Sequence, residues 1–319
     1  MLNGMKKPHA IFTACDAKYG DFLIDHWLKS LQENVDLRTL DPVVLDYGLS
    51  TAQRYYLEGH AVRVVPCTRN GHVVNLRFRD MATVLEETPY EQVVLCDSGD
   101  IIFQTDFTAV FQDHPDRFRG VTEELKPGFE HYVNEDFFSK ADCKTLHRML
   151  RDKPMVNAGF ILGPGSGMRS LGLEVVRRLK SLAKFGPDQI IVNDVFYREG
   201  FHELDRRYNY VIATTTAELE IRDGKFFVEG DLVSVVHNTG NVSFLRPVEN
   251  FGYGQGRNQL KKELARALKA LYVTTDGIAA SRTELQKRVD TFTKEMSSNY
   301  NSSVRQLESA WNRLLDQLP

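Results

Sequence analysis

The sequence predicts an α/β protein: a mostly parallel sheet with helices on its faces, followed by a C-terminal helical appendage. Three observations carry this. Short β-branched runs alternate with helical patterns through the first half of the chain, which is the rhythm of βαβ units. Runs such as Val93–Cys96 are apolar at every position, as strands covered on both faces require. The last part of the chain has no such runs and repeats apolar residues at steps of three and four.

Taken in order, Ala10–Cys15 reads as the first strand. Asp21–Leu31 reads as a helix, with Phe22, Leu23, Trp27, Leu28 and Leu31 apolar. Pro42–Asp46 is the next strand. The helix over Ser50–Glu58 starts at an N-cap, Ser50, and Gln53 three residues later completes a capping box. Ala61–Val65, Leu76–Glu87 and Gln92–Cys96 continue as strand, helix and strand. Val121–Lys140 reads as an ordered loop. Met155–Leu162 is a strand, and Met168–Ala183 and Asp188–Arg198 are helices. Ala217–Gly230 forms a hairpin turning at Asp223-Gly224, a dipeptide suited to a type I′ turn. Leu232–Val236 is the last strand, and a loop rich in Gly and Asn covers His237–Arg257.

Asn258–Leu271 reads as helical and Thr274–Ala280 as a linker. From Leu285 to Leu318 the apolar residues form a heptad seam with one stutter, ~50 Å long as a single helix. The expected domains are therefore 1–257, the α/β body, and 258–319, the helical segment. A narrow seam ending in Trp311, Leu314, Leu315 and Leu318 needs covering, which predicts a homo-oligomer through the C-terminal helix. The poor helix formers of Ser297–Ser303 favour the alternative, two shorter helices packed back on the body.

A chain of 319 residues with 42% hydrophobic and 26% charged residues matches a globular protein and excludes wholesale disorder. A net charge of −3 and the lack of a basic stripe with interleaved aromatics argue against nucleic acid as a partner. Four cysteines without CxxC spacing read as buried side chains in a reducing compartment. No apolar stretch approaches the ~20 residues of a membrane span, and the N-terminus lacks the pattern of a secretion signal. The expected location is the cytoplasm.

Four clusters carry chemistry. In Cys96-Asp97-Ser98-Gly99-Asp100 a buried strand ends in two carboxylates three residues apart, hard oxygen donors suited to Mn²⁺ or Mg²⁺. An Asp-Ser-Gly-Asp turn with solvated acids is the plain alternative. His237-Asn238-Thr239-Gly240 ends another strand with an imidazole and small polar residues, able to offer a nitrogen ligand and amides for phosphate. Asn157-Ala158-Gly159 opens a strand with a polar residue and two small ones. Asp188-Gln189 opens a helix, where the dipole favours an acid whatever its function.

In this order, with Phe12-Thr13-Ala14, Asp16, Tyr19, Arg79, Asp106, Leu204-Asp205 and Asn209, these motifs resemble the retaining GT-A glycosyltransferases of family 8. That group includes bacterial lipopolysaccharide galactosyl- and glucosyltransferases and glycogenin, and the matches run from about residue 9 to 241. The resemblance implies a hexosyltransferase. It would move a sugar from a nucleotide-diphosphate donor, UDP first, to a glycan or other hydroxyl acceptor, with retention. Thr13, Ala14, Asp16, Tyr19 and Ser98 would hold the nucleotide, Asp16 bonding the base and Tyr19 stacking on it. Arg79 would neutralise the diphosphate or hold the sugar. Asp97, Asp100 and His237 would ligate Mn²⁺ or Mg²⁺, and Asn238 and Gly240 would approach the diphosphate. Asn157, Ala158, Gly159, Asp188 and Gln189 would face the donor sugar and acceptor, with Asn157, Asp188 and Gln189 as the catalytic set.

Three positions depart from the family pattern. The acidic motif is one residue longer than Asp-x-Asp, Cys15 stands where an acid is common, and the family's Lys-Pro-Trp is replaced, with Arg246 as a displaced cation. Other readings of the same residues are an inverting GT-A transferase, a sugar nucleotidyltransferase, and a catalytically silent binder of a glycan or partner. The nucleotidyltransferase usually has a glycine-rich loop after the first strand, and Cys15–Gly20 lacks it.

Overall fold

A computed structural model of the chain describes residues 7–125, 132–215, 217–239 and 246–315. It divides into two units, residues 1–272 and 273–319.

In the first unit, β1 (His9–Cys15), β2 (Leu40–Asp46), β3 (Arg63–Pro66) and β4 (Gln92–Cys96) are linked by helices. The first crossover is α1 (Ala17–Phe22), a π-helical stretch Leu23–Leu28, and α2 (Lys29–Asn34). It begins earlier than its apolar pattern suggests, because Asp16 caps it by accepting from the Lys18 amide at 3.1 Å. The next helix, α3 (Thr51–Gly59), starts at the expected capping box of Ser50 and Gln53, and α4 (Val73–Glu87) precedes β4.

Then come β5 (Ile101–Phe103), β6 (Arg119–Thr122), α5 (Lys140–Leu150), β7 (Val156–Pro164), α6 (Gly165–Arg178), α7 (Asp188–Glu199) and β8 (His202–Glu203). The main sheet has the order β3-β2-β1-β4-β7-β6-β8. Only β7 runs against the others: it is antiparallel to both β4 and β6. Alternate residues of each central strand enter opposite cores. Phe12, Val93, Leu95 and Ile161 join the side covered by α4 to α7, while Ile11, Val94, Cys96 and Phe160 pack with Trp27, Leu28 and Leu31. Both faces are dry, which is why these strands lack polar alternation.

A smaller sheet positions the histidine. It is made of β5, β9 (Tyr210–Val211) and β13 (Val235–His237). The expected strand Leu232–Val236 is split between β12 (Asp231–Leu232) and β13. Before both in the chain, β10 (Leu219–Arg222) and β11 (Lys225–Val228) form the expected hairpin. Asp223 and Gly224 both have positive φ, 49° and 76°, as a type I′ turn requires.

The region read as a loop, Val121–Lys140, holds the end of β6 and the start of α5, and residues 126–131 lie outside the described residues. After Gln259–Leu260, one helix, α8, runs over Lys262–Leu315. The expected linker Thr274–Ala280 is helical. It contains one glycine and no proline, and neither Gly277 nor the threonines remove a helix hydrogen bond. Ser297–Ser303 is helical too, so the two-helix alternative does not occur within this range. No described helix is long and apolar enough to cross a membrane.

Candidate active site

The chain leaves β1 toward β2 and β3 and returns to β4 on the other side of β1, so the sheet order switches there. Open α/β sheets hold ligands in the crevice at the carboxyl ends of strands beside such a switch. Here those ends are Cys15-Asp16 and Cys96-Asp97. They are tied together: Thr13 Oγ1 donates to the Cys96 carbonyl at 2.9 Å and Ser98 Oγ to the Ala14 carbonyl at 2.8 Å.

Three groups converge beyond β4. In the small sheet His237 pairs with Ile101, the residue after Asp100, and the Asn238 amide donates to the Asp100 carbonyl at 2.9 Å. His237 Nε2 lies 3.4 Å from Asp100 Oδ1 and 3.6 Å from Asp97 Oδ2. One ligand atom from each lies within 4.8 Å of the others. The longer acidic motif therefore still brings both carboxylates to one imidazole. Burial alone would lower the pKa of His237, but the charge and hydrogen bond of Asp100, with Asp97 behind, raise it. Desolvation likewise opposes ionisation of Asp100, and His237 outweighs it and lowers its pKa.

The orientation of the imidazole follows from a chain of amides. The Glu123 carboxylate accepts from Asn157 Nδ2 at 2.8 Å. Asn157 Oδ1 then accepts from Asn209 Nδ2 at 3.1 Å and from the Gly159 amide at 2.9 Å. That leaves Asn209 Oδ1 to accept from His237 Nδ1 at 3.0 Å. An ionised carboxylate is an acceptor only, so each amide has one orientation that satisfies the chain. The proton of a neutral His237 sits on Nδ1, and the Nε2 lone pair faces the two aspartates. A nitrogen and two carboxylate oxygens, with the ring fixed by a partner behind it, fit a Mn²⁺ or Mg²⁺ donor set. Gly159 lies directly against this group: a Cβ there would come 2.2 Å from His237 Cε1 and 2.9 Å from Asp97 Oδ2.

Arg77 is the residue that sequence reasoning missed. Its side chain is 5% exposed, donates to Asp97 Oδ1, and reaches Asp188 Oδ2 at 3.5 Å and the Ala158 carbonyl at 3.3 Å. Asp188, at the start of α7, is itself buried. Desolvation raises its pKa to about 6, against the pull of Arg77. A signal for Arg77 was present: Arg77, Met81, Val84 and Leu85 stand at i, i+4, i+7 and i+8, so a cation occupies the helix's apolar stripe. Arg79 lies off that stripe. Its guanidinium is held by Asp80 at 2.8 and 2.9 Å, Asn70 at 2.6 Å and the Thr68 carbonyl at 2.9 Å, and it does not join the acidic group.

The remaining residues are placed as follows. Gln189 Oε1 accepts from the Ala158 amide at 3.4 Å. Tyr19 is 40% exposed and borders the acidic turn, since a Cβ on Gly99 would meet its Cδ1 at 2.8 Å. Asp16 pairs with Arg69 at 2.7 Å besides capping α1. Asn238 is buried. Arg246 reaches Asp100 Oδ2 at 3.3 Å. Gly240 lies outside the described residues. All four cysteines are free, and burial pushes the Cys15 thiol up to about 12.

No protein-family model matches the chain, and no curated protein matches its sequence. Solved structures do match. The WbbM bifunctional glycosyltransferase superposes with a TM-score of 0.52 at 16% identity, over 76% of this chain and 47% of that one. This chain thus spans about half the length of WbbM. An active-site mutant of LgtC gives a TM-score of 0.52 at 16% identity, over 82% of this chain and 95% of that one. A second structure, of galactosyltransferase LgtC in complex with donor and acceptor sugar analogs, gives a TM-score of 0.49 at 16% identity, over 82% of this chain and 96% of that one. The chain has the fold of these glycosyltransferases, the GT-A-type α/β architecture that its motifs predict.

Proposed function

We propose that the protein is a metal-dependent glycosyltransferase that moves a hexose from a nucleotide-diphosphate sugar, UDP first, to a hydroxyl of a glycan or similar acceptor, with retention. The observation that carries this reading is the convergence of Asp97, Asp100 and His237 beyond β4, on a glycosyltransferase fold. A divalent cation bound there supplies Lewis acidity toward a departing diphosphate.

The chain's own residues do the positioning. Asn209 holds His237 with Nε2 forward, and Arg77 holds Asp97 from behind. Arg246, beside Asp100, offers positive charge where a diphosphate gains negative charge. Tyr19, exposed beside the acidic turn, offers a ring face to a base. Asp188, locked against Arg77, orients the sugar-facing loop and does not attack. With retention, the acceptor hydroxyl arrives on the face the diphosphate leaves, and the leaving phosphate takes its proton.

The test is to incubate the full chain with Mn²⁺ and UDP-, GDP-, CMP- and dTDP-sugars, and to follow release of free nucleotide. A UDP-sugar turning over in wild type and not in Asp100→Asn supports the reading. Equal turnover in both would make the acidic motif a turn and nothing more.

A further inference from the structure

Helix α8 carries an apolar stripe whose described residues are exposed. Leu285, Val289, Phe292, Met296, Tyr300 and Leu307 are between 49% and 70% exposed, and they follow the seam spacing of a coiled coil. A stripe this long on one helix is a surface for another helix, and the residues beside it say which one.

Arg288 and Glu295 are both exposed and flank the stripe on the same side. They occupy equivalent heptad positions, just before Val289 and Met296. In a parallel pair of identical helices each would face the partner's residue five positions on, Thr293 for Arg288 and Tyr300 for Glu295, so no opposite charges meet. In an antiparallel pair equivalent positions face each other. Arg288 then meets the partner's Glu295, and the two-fold axis makes the pair twice.

We propose that α8 pairs antiparallel with α8 of a second copy, about a two-fold axis between Asp290 and Thr291. In this register Leu285 packs on the partner's Met296, and Val289 on the partner's Phe292. Tyr300 faces the partner's Ser281, a large residue against a small one. The charges at the flanks select this orientation over the parallel one. The pairing uses no residue of the acidic cluster, so its failure would leave the functional reading standing.

The test uses the full chain. Light scattering at tens of micromolar should give twice the 36.4 kDa of one chain. Arg288→Glu or Glu295→Arg alone places like charges together and should weaken dimerisation about tenfold or more, while the double swap Arg288→Glu/Glu295→Arg restores it. Spin labels on Asp290→Cys or Gln306→Cys, in a Cys67→Ser background, fix the direction. Labels at 290 should lie close together, and labels at 306 about 46 Å apart at ~1.5 Å of rise per residue. A monomer, a double swap that stays weak, or equally short distances at both sites would overturn the proposal.

Discussion

His237 Nδ1 donates to Asn209 Oδ1 across 3.0 Å, and that bond decides which face of the imidazole is available. Asn209 is itself buried, and its Nδ2 goes to Asn157, whose own amide goes to Glu123.

Asn209→Ala should therefore lower Mn²⁺ affinity about 10- to 100-fold, the usual cost of removing a partner behind a metal ligand, while the protein stays folded. Titration of Mn²⁺ by calorimetry, with circular dichroism as the folding control, checks it. Unchanged affinity would mean that the imidazole is held by its packing alone.

Gly159→Ala is a steric test of the same group. The added methyl would overlap His237 and Asp97, so the imidazole must move and Mn²⁺ binding should be lost. The variant should crystallise with His237 displaced, and a crystal structure with the ring in place would contradict the geometry.

The two arginines of α4 should separate cleanly in urea unfolding. Arg77→Met strands the buried Asp188 beside the half-buried Asp97 and should cost about 3–5 kcal/mol. Arg79→Met removes a partly exposed ion pair with Asp80 and should cost about 1 kcal/mol or less. Equal costs would contradict the different placements of the two side chains.

Asp188 gives a pH dependence with a definite sign. Its pKa rises from an ordinary 3.8 to about 6 in the folded protein, so between these values the folded state keeps a proton the unfolded chain has lost. Its contribution is fully present below about pH 4 and falls as pH rises through about 6, by up to ~3 kcal/mol. Asp188→Asn removes this slope. Urea midpoints of wild type and variant, followed from about pH 4.5 to pH 7, should converge at the acid end and spread apart toward neutrality, with the wild type falling faster. Parallel curves would place the carboxyl in a wetter site than the structure gives it.

Much of this architecture was legible because it is local. The capping box at Ser50 and Gln53, the turn at Asp223-Gly224 and the bounds of Gln92–Cys96 each rest on a few adjacent residues. The acidic motif and His237 were legible as ligand types at strand ends, and the small sheet brings them together. The amide chain was not legible, since Glu123, Asn157, Asn209 and His237 meet only through the fold. Arg77 was legible in principle, as a charge on an apolar stripe that Arg79, two residues on, does not share. The linker read over Thr274–Ala280 failed because threonine and a single glycine weaken a helix by only about 1 kcal/mol or less each, which a long helix absorbs.

The proposed function requires that Asp97, Asp100 and His237 form a metal site that holds a nucleotide diphosphate. Calorimetric titration of the full chain with UDP, once in Mn²⁺ and once in EDTA, tests it most directly. Binding should be seen in Mn²⁺, weaken at least ~10-fold in EDTA and be lost in Asp100→Asn. Equal affinity in Mn²⁺ and EDTA would contradict it.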